Sequence, residues 1–255
     1  MRKALLKRWN EPEVTGSTVS EMQSLNLSHT RITWAAPASA EPVLLVLGGR
    51  VPDPVWLSEL ARSVPGEVWA LDRGADACRA AGVRPGRLLG DFDSVSREGY
   101  EWARSGGAVI DRYPADKNLT DFQLALELLK GPALVTGCWG GRFDHAFSAF
   151  FSVLSAAEWG VRVLAFADER ELLCPLWGPA ELSLEFTATP QALSLLPLTP
   201  QCEGVTIENV KWPLDDVSLV QSLPWAVSNL PEGKASVRLS SGVLGVYAAF
   251  GGELE

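Results

Sequence analysis

Between residues 43 and 166 the chain alternates short, unbroken apolar runs with stretches whose apolar positions recur at helical spacing. Val43-Leu44-Leu45-Val46-Leu47 runs into Gly48-Gly49, Val68-Trp69-Ala70-Leu71 into Asp72, and Ala133-Leu134-Val135-Thr136 into Gly137. Continuous apolar runs of this length, bounded by turn residues, predict strands buried on both faces of a parallel sheet. Asp53-Pro54 predicts a helix through about Arg62, with Asp as the cap and Pro in the first turn. A short helix is expected over 75–81, and Leu88-Leu89 lead into Gly90-Asp91-Phe92-Asp93-Ser94. Thr120 and Gln123 form a capping box, and Phe122, Ala125, Leu126 and Leu129 then share one helix face up to Gly131-Pro132. A second strong helix carries Phe143, Ala146, Phe147, Phe150, Phe151 and Leu154, and the run 161–166 closes this half. Strands alternating with helices predict an α/β, mostly parallel, doubly wound (Rossmann-like) domain over 41–168.

After Asp168 the helical period fades, prolines become frequent, and short alternating runs appear at 181–186, 192–196 and 235–239. These predict a small antiparallel β-sandwich domain over 169–255, with Ser241-Gly242 turning a terminal hairpin into 243–250. Residues 1–40 are polar and Ser/Thr-rich and read as a loosely ordered extension.

Charge and cysteine usage narrow the function classes. The 255 residues carry a net charge of −9, which argues against a nucleic-acid surface, since that would need basic groups to replace counterions. The four cysteines are scattered without a CxxC pair, and there are only two histidines, so a structural zinc site is not expected. Reduced thiols fit a cytoplasmic location. No stretch reaches the ~18 apolar residues of a membrane span, and the basic N-terminus lacks the apolar region of a secretory signal.

The candidate chemistry lies in carboxylates that follow strand ends: Asp72, then Asp91 and Asp93, then Asp121 in Asp116-Lys117-Asn118-Leu119-Thr120-Asp121. In an open α/β sheet such ends converge on one crevice. Crowded carboxylates repel one another unless a cation lies between them, and Mg²⁺ bridging to phosphate is the natural candidate. Each aspartate taken singly fits a turn or a cap equally well. Gly140-Gly141-Arg142-Phe143-Asp144-His145 is a glycine-rich loop opening a helix, suited to an anion, with Arg142 as a phosphate clamp. Asp144 reads equally as a helix cap, and Lys117 equally as a phosphate contact or an exposed loop lysine. Trp212, in the loop-like segment Asn209-Val210-Lys211-Trp212-Pro213-Leu214, offers an aromatic face for a flat or cationic ligand.

Taken in order, these segments resemble the thiamine pyrophosphokinase family from about residue 43 to 250. The family's D-G-G-A-N, G-D-F-D-S, D-[KQ]-D-x-T-D, G-G-R-[LF]-D-[HQ] and G-L-K-[WY]-x-L motifs correspond to segments beginning at Asp72, Gly90, Asp116, Gly140 and Asn209. A late Ser228-Asn229 pair follows. Arg73, Asp76, Asn118, Asn209 and Val210 depart from the pattern. The resemblance implies that ATP and thiamine give thiamine diphosphate and AMP, with Mg²⁺ as cofactor. It implies that Asp72, Asp91 and Asp93 hold the metal, with Asp121 as a further catalytic residue. Ser94, Lys117, Thr120, Arg142 and Asp144 would contact the nucleotide, and Asp121, Trp212, Ser228 and Asn229 the thiamine. It further implies a homodimer with shared active sites. A pyrophosphokinase for another hydroxymethyl heterocycle, such as a pterin, and a non-catalytic thiamine- or nucleotide-binding homologue are the alternatives.

Overall fold

The structure is a computed structural model that describes residues 21–36, 41–116 and 118–251. Two strands, β1 (Glu21–Asn26) and β2 (Thr30–Ala36), precede an alternating segment. That segment runs β3 (Val43–Val46), α1 (Pro54–Ser63), β4 (Val68–Leu71), α2 (Gly74–Ala80), β5 (Arg87–Gly90), α3 (Arg97–Ser105), β6 (Val109–Arg112), α4 (Asp121–Leu128), β7 (Ala133–Thr136), α5 (Phe143–Glu158) and β8 (Val163–Ala167). Seven strands follow: β9 (Glu171–Trp177), β10 (Ala180–Phe186), β11 (Ala192–Pro197), β12 (Gln201–Val210), β13 (Leu214–Val220), β14 (Pro231–Leu239) and β15 (Val243–Ala249).

The local predictions rest on caps and runs that the structure contains. Asp53 accepts from the N–H groups of Val55 and Trp56 and starts α1. Thr120 and Gln123 make both bonds of the capping box that starts α4. Phe122, Ala125, Leu126 and Leu129 are all buried, as their shared face requires. Every residue of β4 and β7 is buried, which explains why their sequences show no alternation.

One sheet has nine strands in the order β11-β15-β9-β8-β7-β3-β4-β5-β6. Its β8-to-β6 portion is wholly parallel. Strand order reverses between β3 and β7, so the crevice of an open α/β sheet falls there. The second sheet has six strands in the order β1-β2-β10-β14-β12-β13, and its pairings are antiparallel. One apolar core runs from Leu44, Val46 and Leu88 of the parallel strands through Leu172 and Cys174 of β9 to Leu184, Ile207 and Val237 of the second sheet.

Three expectations are corrected. Residues 21–36, read as part of a loose extension, form the β1–β2 hairpin, because β2 pairs with β10 and Ile32 is buried; residues 1–20 and 37–40 lie outside the description. The boundary at 168/169 does not divide the sheets, since β9, β15 and β11 extend the parallel sheet with antiparallel pairing. Gly242 does not turn a hairpin: β14 and β15 belong to different sheets, and the chain crosses between them there. Gly242 has φ 94°, and a Cβ on it would lie 2.5 Å from the Gln201 carbonyl oxygen. The helix read from the phenylalanine spacing is α5; it buries Ala149, Val153 and Ala156, while Phe143 and Phe147 are 80% and 51% exposed. The pattern also predicts no element between Ser94 and Asp116, where the structure has α3 and β6.

Candidate active site

The C-terminal ends of β3, β4, β5 and β7 open into a cavity of about 950 Å³. Its lining includes Gly48, Gly49, Asp72, Asp91, Asp93, Ser94, Thr120, Asp121 and Arg142. Seven of these nine residues were named from the sequence as carboxylate or nucleotide-contact candidates, and the sheet topology gathers them at the ends of its strands and in the loops that follow.

Asp72 leaves β4 with φ 44°, a left-handed conformation that Asp tolerates better than most side chains. This turn sends its carboxylate toward the loop after β5, where Oδ1 accepts from the Phe92 N–H at 3.0 Å. Gly90 makes the approach feasible: a Cβ there would lie 2.0 Å from that same Oδ1. Asp91 Oδ1 in turn accepts from the Asp93 N–H, folding the loop so that both side chains face one way. One carboxylate oxygen from each of Asp72, Asp91 and Asp93 lies within 4.8 Å of the others.

Asp72 also shares a hydrogen bond with Asp121, which requires a proton between the two carboxyls. Burial, then that bond and the nearby negative charges, push Asp72 up to about 7 despite the opposing Phe92 N–H. A dense set of hard oxygen donors, one of them reluctant to ionise unaided, fits a hard divalent cation such as Mg²⁺.

The loop after β7 is clasped to the loop after β3. Gly49 donates to the Gly137 carbonyl at 2.8 Å, and Arg50 donates through its N–H to the Trp139 carbonyl. A Cβ on Gly49 would lie 2.6 Å from both the Gly137 and Trp139 carbonyl oxygens, so the clasp needs glycine. The loop continues through Gly140 and Gly141, at φ 67° and 65°, into α5. Arg142 lines the cavity and pairs with Asp144, its Nε donating to Oδ1 at 3.1 Å. That bond holds the Asp144 carboxyl below its ordinary range, and Asp144 also accepts from the His145 N–H. Asp144 itself is not among the lining residues. Lys117 lies outside the described residues.

Trp212, Ser228 and Asn229 are brought together with one another but not into this cavity. Asn229 accepts from the Trp212 N–H at 3.1 Å and donates to the Trp212 carbonyl at 2.6 Å, tying together residues 17 apart. Ser228, at φ 60°, donates its N–H to Ser194 Oγ. The Trp212 ring is 53% exposed, and the Lys211 ammonium lies 4.6 Å from its centroid, so the face already accepts a cation. Asn209 has φ 58° and bonds the Lys234 carbonyl, which explains how Asn serves where the resembling family has Gly.

Two supporting sets escape sequence reading. Arg50 turns from the cavity loop to Asp168 Oδ2 and Glu171 Oε2, each at 2.6 Å, and Tyr247 donates to Glu171 Oε1 at 2.7 Å. Asp76 accepts from the Ser96 N–H at 3.0 Å and from its hydroxyl, fixing the far end of the Asp91–Ser94 loop. The Gly48-Gly49-Arg50 turn is visible in the sequence, but its acidic partners are more than a hundred residues away.

Comparison with known proteins adds independent findings. Residues 67–165 match the family model "Thiamin pyrophosphokinase, catalytic domain", and residues 182–244 match "Thiamin pyrophosphokinase, vitamin B1 binding domain". The first span holds Asp72, Asp91, Asp93, Asp121 and Arg142; the second holds Trp212, Ser228 and Asn229. The chain is 23% identical over 179 residues to the thiamine pyrophosphokinase of Bacillus subtilis (strain 168), covering 68% of this chain and 83% of that protein. The crystal structure of thiamine pyrophosphokinase from Bacillus subtilis superposes with a TM-score of 0.70 at 19% identity, over 83% of this chain and 100% of that one. A thiamin pyrophosphokinase family protein from Enterococcus faecalis gives a TM-score of 0.67 at 25% identity, with the same coverage. No helix among the described residues is long and apolar enough to cross a membrane.

Proposed function

This chain belongs to the thiamine pyrophosphokinase family, and from that premise we propose that it transfers the terminal pyrophosphoryl group of ATP to the hydroxyl of thiamine, with Mg²⁺, as a cytoplasmic homodimer. The observation that carries this reading is the convergence of Asp72, Asp91 and Asp93 in a cavity that also holds Asp121 and Arg142.

Asp72, Asp91 and Asp93 would hold the magnesium. Bound there, the ion would neutralise the polyphosphate and draw charge from the β-phosphorus. The thiamine hydroxyl oxygen forms the new bond to that phosphorus, and the bond from the β-phosphorus to the α–β bridging oxygen breaks. AMP leaves with the electron pair. The hydroxyl proton passes to the Asp121 carboxylate, which lies beside Asp72 in the same cavity. Arg142, on a glycine-rich loop, exchanges Asp144 for phosphate oxygens, and Ser94 and Thr120 line the nucleotide's path. Lys117 adds a further phosphate contact.

Trp212, Ser228 and Asn229 would hold thiamine, the indole stacking on its cationic ring. They lie outside their own chain's cavity, and in the proposed homodimer the second copy brings this patch over it. The four free, buried cysteines suit a reducing compartment. The test is incubation of purified protein with ATP and Mg²⁺, with and without thiamine. Thiamine-dependent AMP and thiamine diphosphate in equal amounts support the reading. Folded protein that makes neither excludes it, and preference for another hydroxymethyl heterocycle would reassign the acceptor.

A further inference from the structure

We propose that Arg73 is a polyphosphate-binding residue of this site, its guanidinium held ready beside the carboxylates for the phosphate chain of the nucleotide; this rests on the reading of the cavity as an ATP site. Four cavity arginines separate into two kinds. Arg50 is committed to Asp168 and Glu171, Arg142 pairs with Asp144, and Arg170 has Glu169 3.6 Å away. Arg73 lines the same cavity and has no carboxylate ion-pair partner among the described residues. Its Nη2 donates instead to the Gly49 carbonyl oxygen at 3.4 Å, a long bond to a neutral acceptor that a charged oxygen would displace.

The backbone aims this side chain. Asp72, at φ 44°, turns the chain sharply, and Arg73 follows with helical angles at the start of α2. Its Cβ then passes over Gly48, where an added Cβ would come within 3.1 Å of it. The absence of a side chain at 48 lets the arginine lie along the loop after β3. The result is a permanently charged fork adjoining Asp72, in a cavity that also holds Asp91, Asp93 and Asp121. An anionic polyphosphate entering among four carboxylates needs cationic contacts besides a metal. Arg73 supplies one that need not first leave an acidic partner. Its planar donors match two phosphate oxygens, which a lysine cannot do as a pair.

The test uses the full chain with Mg²⁺ and α,β-methylene-ATP, in which the bond to be broken is blocked, so binding is read without turnover. Arg73→Gln should weaken analogue binding about tenfold or more, the scale of a lost charge-assisted hydrogen bond. Arg73→Lys should fall between Gln and wild type. The thiamine KM should stay within about twofold in both variants, with melting temperature unchanged, because Arg73 is exposed. Unaltered analogue affinity in Arg73→Gln would overturn the inference. Equal losses of analogue affinity, thiamine affinity and melting temperature would overturn it too, by assigning Arg73 to the fold. If wild type binds the analogue better than Arg73→Gln yet makes no thiamine diphosphate, the inference stands and the proposed reaction fails.

Discussion

The acidic cavity and the Trp212 patch achieve local order in opposite ways. In the cavity, side chains are aimed by strand ends and by backbone conformations that the buried sheet imposes. Asp72 is held through Phe92, Asp93 bonds Asp91, and Asp76 anchors the loop at Ser96. The patch consists of an exposed ring on a loop, fixed through its main chain by Asn229, with Leu223, Trp225 and Val227 also exposed nearby in sequence. The cavity is assembled within one chain, whereas the patch presents an apolar face that the described residues leave uncovered. The difference teaches that a cluster of carboxylates can be assembled by sheet topology within one chain, while an exposed aromatic patch is ordered only through its main chain.

The largest expected effect breaks the cavity. Asp91→Asn or Asp93→Asn should lower kcat at least about a hundredfold, the order lost when one electrostatic group leaves a transition state. Circular dichroism should show the fold unchanged, and near-normal kcat in both variants would remove the metal role. The next effect breaks the patch. Trp212→Ala should raise the thiamine KM about tenfold through lost cation–π contact, leaving the ATP KM within about twofold. Equal rises in both would mean a defect in folding or assembly. Mixing Asp93→Asn with Trp212→Ala protein should restore thiamine turnover at low thiamine, since a mixed dimer carries one intact cavity facing one intact patch. No gain after subunit exchange, verified with differently tagged chains, would place both regions in the same subunit.

A smaller effect is read in pH. Asp72 in the fold keeps its proton up to about 7, whereas an unfolded aspartate loses it near 3.8. The folded chain therefore binds more protons between these values, and stability without divalent metal should decline as pH rises from about 4 to about 7, then level. Thermal melts in EDTA would show this slope reduced in Asp72→Asn and opposed by Mg²⁺. An unchanged slope in the variant would contradict the assignment. The smallest effect on catalysis is expected from Asp76→Ala, which should cost about 1–3 kcal/mol of stability through the lost Ser96 bonds, measured by denaturant unfolding. Its kcat should fall only several-fold.

The cavity was the more legible region because its information is local. Asp91 and Asp93 lie two residues apart, Asp72 directly follows a wholly apolar run, and Thr120 and Gln123 announce the helix that begins at Asp121. Ser96 caps α3 through the Gly99 N–H, but the polar face of that helix and the largely exposed β6 give weak periodic signals. The β1–β2 hairpin depends on an edge of β10 some 150 residues later in the chain, so its sequence reads as polar text. The split of the later strands between two sheets is likewise set by long-range register. Arg50, bonded to Asp168 at a separation of 118 residues, could not be assigned from spacing. Phe143 and Phe147 have the helical period of a core face yet are exposed, because periodicity identifies a stripe without saying what covers it.

The central claim is that the cavity breaks the bond between the β-phosphorus and the oxygen joined to the α-phosphorus. Its most direct test supplies ATP labelled with ³²P at the α, β or γ position, in separate reactions with thiamine and Mg²⁺. The account predicts β and γ label in thiamine diphosphate and α label in AMP alone. Thiamine monophosphate carrying only γ label, with ADP as the other product, would contradict it.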